Sequence, residues 1–148
     1  MTPPRWHMDH ALLAAVAEKV HADRLRGYPA LVDAGTLSPA SAATGIRVMF
    51  AIAAGWRAIA DVQPEPDWIH DPETGGAWPY ERRAHLTAAA RRPRAAAIDA
   101  PDDFEVVGFA DAIDTLLWWE TASPTARCIA DGIIAAARDQ RPQLKDAA

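Results

Sequence analysis

The sequence predicts an all-α fold: a compact bundle of five to six helices with one long irregular loop at about residues 63–79. Three observations carry that expectation. Apolar residues recur at helical spacing through several long segments. Ser-Pro pairs open two of these segments, joining an N-cap to a first-turn proline. No segment of useful length shows the apolar–polar alternation of a half-buried strand.

Taken in order, Asp9 caps a first helix running to about Arg26, with Leu12, Leu13, Val16 and Val20 on one face. Gly27 is expected to break it. Tyr28-Pro29 then starts a short helical turn that Gly35 closes in a left-handed cap. Ser38-Pro39 opens the longest helical pattern, Ser38 to Val62. Its apolar face gathers Ile46, Met49, Ile52, Ala53, Trp56, Ile59 and Ala60, and Val48 and Phe50 widen it. Gly45 and Gly55 each cost about 1 kcal/mol of helix propensity against alanine, which the close approach of another helix would explain.

Gln63 to Pro79 carries four prolines and a Gly-Gly pair, and its Trp68, Ile69 and Trp78 are expected to pack it onto the body. Loops of this length inside compact domains are often functional. A fourth helix runs from Tyr80 to about Ala97, interrupted at Pro93. A fifth opens at Pro101-Asp102 and ends near Thr121. Ser123-Pro124 starts a sixth, to about Asp139, with Cys128 as a small buried hydrophobe, and a polar tail follows from about 141. The whole reads as a single helical domain, 1–148.

Composition narrows the class. Apolar residues make up 50% of the chain, which excludes intrinsic disorder, but many are alanines that add little core volume. The six tryptophans are therefore expected to supply much of the buried area. A net charge of -5 argues against direct nucleic-acid binding, which needs a basic face to displace counterions from phosphate. One cysteine allows no internal disulfide and suits a reducing compartment. The first ten residues lack the apolar run of a signal peptide, and no apolar run reaches the ~18 residues of a membrane span. The expectation is a cytoplasmic protein with no membrane attachment.

Tyr28-Pro29, Leu31-Val32, Gly35 and Ser38 precede a helix with Ile46, Val48, Met49 and Ile52 in register, and Arg24 and Arg26 stand upstream. Over about residues 24–60 this resembles a family of small phage and prophage proteins sharing a Tyr-Pro pair, a glycine and a Ser- or Thr-capped helix. The resemblance implies a phage or prophage origin and a shared structural unit. It implies no activity.

The chemistry-bearing residues concentrate late in the chain. From Asp99 to Glu120 there are seven acids and no Lys or Arg. On the fifth helix Val106, Phe109, Ile113, Leu116 and Leu117 form an apolar face. Roughly opposite lie Asp103, Asp111 and Asp114, mixed with Phe104, Val107 and Trp118. Aromatic anchors among carboxylates suit a protein-binding surface, and rows of carboxylates can imitate phosphates to a DNA-binding partner. The partner-binding candidates are therefore Asp103, Phe104, Asp111, Asp114 and Trp118. A simpler reading is that early acids complement the helix macrodipole.

Asp111 and Asp114 also form a D-x-x-D pair, as in some Mg²⁺-dependent all-helical nucleotide hydrolases. No second acidic pair accompanies it, so the pair reads as solvated charge. The groups His7, Asp9, His10 and Asp67, His70, Asp71, Glu73 lack any metal-ligand spacing. No serine elbow or phosphate-binding loop is present. No cofactor or catalytic set is expected. The arginine-rich segment 82–94 is as well placed to meet the acidic fifth helix as to meet nucleic acid.

Together these features point to a non-enzymatic, phage-type accessory protein acting through protein–protein binding. Its concrete form is an inhibitor of a host-defence or nucleic-acid-handling complex, as anti-CRISPR proteins are. The alternatives are the Mg²⁺-dependent hydrolase and a structural or self-associating phage component, with a homodimer left open.

Overall fold

A computed structural model describes residues 3–121. Among them are four α-helices and one 3₁₀ turn, and no strand: α1 His10–Asp33, α2 Pro39–Ala60, the 3₁₀ turn Pro72–Thr74, α3 Pro79–Asp99 and α4 Phe104–Thr121. The all-α class stands, with four helices where five to six were expected. One helix is lost by fusion, because the short turn after Tyr28 is the last part of α1. The expected sixth helix, Cys128 and the tail from about 141 lie outside the described residues.

Neither Gly27 nor Pro29 breaks α1. Proline removes only one helical hydrogen bond here, four residues from the end, and tertiary contacts hold the segment. Arg24 lies inside the bundle, 9% exposed. Its Nη1 donates to the Gly45 carbonyl at 2.8 Å and to His85 Nδ1 at 3.1 Å, and Nη2 reaches the His85 carbonyl at 3.4 Å. One side chain thus ties α1 to α2 and α3. Tyr28 packs over Gly45 on the same face, so the helix continues past the weak residues.

α1 ends as expected at Gly35, whose φ is +73°. The Gly35 and Thr36 amides donate to the carbonyls of Val32 and Leu31, a Schellman closure that satisfies otherwise orphaned acceptors. Ser38 then caps α2 through its Oγ and the Ser41 amide, with Pro39 in the first turn.

α1 and α2 pack antiparallel. His10 meets Trp56 at one end and Arg24 meets Gly45 at the other. α3 and α4 pair likewise, Arg82 near the start of α3 reaching Glu120 near the end of α4. α4 also runs antiparallel to α1, with the Lys19 ammonium 5.3 Å from the Phe109 ring and Trp119 Nε1 donating to the His7 carbonyl.

The core between these helices is mostly aliphatic: Leu13, Val48, Met49, Leu86, Ile113 and Leu116 are its largest sealed apolar side chains. Of the six tryptophans Trp56 is buried, Trp6, Trp68, Trp118 and Trp119 are half-buried, and Trp78 is exposed. Trp68 and Trp119 pack against the core from its edge, so tryptophans border it while aliphatic side chains fill its centre. Small residues such as Ala14, Ala17, Ala53, Ala90 and Ala112 let the helices approach closely enough for aliphatic side chains to fill the space.

The long loop packs down through Ile69 and Ala77, both buried. The Ala77 amide donates to the Ile69 carbonyl at 2.9 Å, closing the loop on itself, and Asp71 caps the 3₁₀ turn. Trp68 stacks on Phe50 at 5.6 Å. Gly55 makes room for Ile69 of this loop, not for another helix. Arg47 fastens the far end, donating to the Gly76 carbonyl at 2.5 Å and to both Glu81 oxygens.

By length and composition alone α2 is apolar enough to cross a membrane, contrary to the sequence expectation. Its Arg47 and Arg57 are paired with Glu81 and Glu18, and its buried residues belong to the bundle core.

Candidate protein-binding surface on the α3–α4 hairpin

α3 passes through Pro93 without interruption and ends at Asp99. Pro101 follows, and α4 begins at Phe104, three residues after the Pro101 start expected from sequence. The true cap is Asp103. Its Oδ1 accepts from the Glu105 amide at 3.1 Å and the Val106 amide at 3.3 Å, and its carbonyl accepts the first helical bond from Val107. Asp103 occupies this position because its carboxylate satisfies free amides and suits the positive end of the helix dipole.

The turn leaves two large apolar side chains in solvent. Phe104 is 90% exposed and Ile98, in the last turn of α3, is 79% exposed. Around them stand Asp99, Asp102, Asp103 and Glu105, all exposed. No Lys or Arg lies between Ala95 and Thr121. The hairpin tip thus combines apolar anchors with local negative charge, a combination suited to an apolar partner surface rimmed by basic residues.

The five residues singled out by sequence do not form one patch. Asp103 and Phe104 sit together at the tip. Asp111 is exposed one heptad along α4, and Trp118 lies another heptad on. At 1.5 Å per residue, Phe104 and Trp118 are about 21 Å apart along the axis. Trp118 is half-buried at the opposite end, edge-on to Trp119 at 4.8 Å and to His7 at 6.0 Å. Its buried Nε1 has no hydrogen-bond partner among the described residues. Asp114 accepts from Arg94 Nε at 2.7 Å and pairs with Nη2 at 2.5 Å.

Arg82 is buried too, donating to Glu120 at 2.9 Å and to the Ala77 carbonyl at 2.9 Å. The basic and acidic helices therefore meet each other within the chain at two points. Among the described residues no three His, Cys, Asp or Glu side chains gather where they could hold a metal ion. Ile98 was missed by sequence reasoning. As the last apolar residue of a helix it resembles a core side chain, and only the packing shows it uncovered.

No family model matches the chain, and comparison with curated proteins and with solved structures also finds no match.

Proposed function

We propose that this chain is a non-enzymatic accessory protein that binds another protein through the tip of the α3–α4 hairpin. The observation that carries this reading is Phe104, almost fully exposed beside Ile98 and among four carboxylates. A solvent-exposed phenylalanine in an N-terminal helical position contributes nothing to the core. Its side chain becomes useful when a partner covers it. The surrounding carboxylates select a partner with a basic rim and speed its approach. Proteins that handle nucleic acid present such basic faces, so inhibition of a nucleic-acid-handling complex is the concrete form of this reading. The resemblance over residues 24–60 supports a phage or prophage setting.

Affinity capture from a host lysate, read by mass spectrometry, tests the proposal. The native chain should enrich a specific basic protein that a Phe104→Ala, Ile98→Ala double variant fails to enrich. Capture of the same protein by that variant would remove the tip as the binding surface.

A further inference from the structure

A second feature lies away from the tip. Helices α1, α3 and α4 enclose an open groove of about 580 Å³, within the ~300–1,000 Å³ typical of small-molecule sites. Val20, Leu31, Phe109 and Ile113 give it apolar walls, and Arg24, Arg91 and Arg92 also line it. The single acid in its lining, Asp23, is already held by Lys19 and Arg26.

The three cations are not neutralised within the described chain. Arg24 is buried, yet its partners are two carbonyls and a histidine nitrogen, with no carboxylate. Both terminal nitrogens are engaged by Gly45 and His85, which do not line the groove, so Arg24 acts on it as a nearby charge. Arg91 and Arg92 are exposed and form no ion pair among the described residues, unlike Arg47, Arg57, Arg82 and Arg94. A buried guanidinium without a counter-ion is costly, and like charges around one concavity repel. Both costs fall when an anion enters.

We propose that this groove binds a small organic phosphate, its head held by Arg91 and Arg92 beside the Arg24 charge and its apolar body against Phe109 and Ile113. Guanidinium forks match phosphate oxygens in geometry, and two of them with a third cation beside them suit a dianion. The size of the groove favours a small molecule over a polymer, and the net charge of -5 opposes a polyanion.

Titration calorimetry with phenyl phosphate and with inorganic phosphate tests the site. Phenyl phosphate should bind saturably at one site, and inorganic phosphate roughly tenfold or more weakly because it leaves the apolar walls uncovered. An Arg91→Gln, Arg92→Gln double variant changes only exposed side chains. Its melting temperature without ligand should match the native chain, while its affinity for phenyl phosphate falls roughly tenfold or more. Absence of saturable binding overturns the proposal, as does equal affinity for the two phosphates or unchanged affinity in the double variant. Amide shift mapping adds a check on location. Perturbations should centre on Val20, Arg91 and Phe109, and a response confined to other regions would place the ligand elsewhere.

Discussion

Tyr28 lies directly over Gly45. A Cβ at position 45 would stand 2.9 Å from Tyr28 Cε2 and 3.0 Å from its hydroxyl. The Arg24 guanidinium, one turn earlier on α1, donates to the carbonyl of the same glycine. Gly45 is therefore a point of close approach between α1 and α2, and the missing side chain is what permits it. The contact accounts for the length of α1, since packing there favours keeping Tyr28 helical despite Gly27 and Pro29 on either side.

The two closely approached glycines should respond differently to alanine. At Gly45 the new methyl meets a tyrosine ring edge that can shift. Overpacking of about 1–3 kcal/mol is offset by about 1 kcal/mol of helix propensity. Gly45→Ala should therefore lower stability by about 0–2 kcal/mol in urea unfolding. At Gly76 the methyl would run into the backbone of Trp68 and Ile69, with no side chain to give way. Gly76→Ala should cost about 2 kcal/mol or more by the same measurement, with no propensity gain to soften it. If Gly45→Ala proved the more damaging, this account of the loop closure would be wrong.

The contrast shows what was legible in the sequence. Ser38-Pro39, Asp9 and Gly35 sit where their local chemistry places them, because capping depends on a few adjacent backbone groups. Helix breaks were harder to read. Gly27 and Pro93 carry breaker signals, but long-range contacts from Arg24, Tyr28, Arg82 and Arg94 hold both helices continuous. The candidate site was half legible. Local charge and aromaticity marked Asp103 and Phe104. The partners that take Asp114 and Trp118 out of the patch stand on α3 and near the N-terminus, beyond the reach of helical periodicity.

Val62 offers a direct measure of backbone strain. α2 closes with the Val62 and Gln63 amides donating to the carbonyls of Ile59 and Ala58. That closure puts Val62 at φ +54°, a region β-branched residues rarely adopt. Val62→Gly should raise stability by about 1 kcal/mol, with a higher midpoint in urea. A lower midpoint would mean that the apolar contacts of this half-buried side chain outweigh the strain.

Stability should fall as the solution is acidified below about pH 6.5, through three histidines. Burial holds the imidazoles of His10, His21 and His85 below their ordinary value of 6.5. At His85 the Arg24 and Arg47 cations act in the same direction and Glu81 opposes them. The unfolded chain takes up these protons near pH 6.5 and the folded chain resists. Stability is therefore fully present above that value and is lost as pH falls towards the folded pKa values. Glu81 and Asp23, held below their ordinary values by hydrogen bonds from Arg47 and Lys19, add a further loss at lower pH. Urea midpoints measured from about pH 7.5 to 5 should decline. His85→Gln, whose amide oxygen can still accept from Arg24, should flatten the slope. A flat native profile over that interval would contradict the assignment.

Asp103 has two roles to separate, because its carboxylate caps α4 and also belongs to the acidic tip. Replacing it with lysine would confound the two. Asp103→Ala removes the cap and should cost about 1 kcal/mol of stability, whereas Asp103→Asn keeps an acceptor for the Glu105 and Val106 amides and should cost much less. Phe104→Ala, at a side chain in open solvent, should stay within about 0.5 kcal/mol of the native chain. The binding proposal therefore has a clean test in Asp103→Asn and Phe104→Ala, each of which leaves the fold intact. Partner affinity should drop in both, more for Phe104→Ala because an anchor side chain contributes more than one charge at a rim. Affinity that tracked stability instead, falling with Asp103→Ala and unchanged in the other two, would assign Asp103 to the helix cap alone and leave the tip without a role in binding.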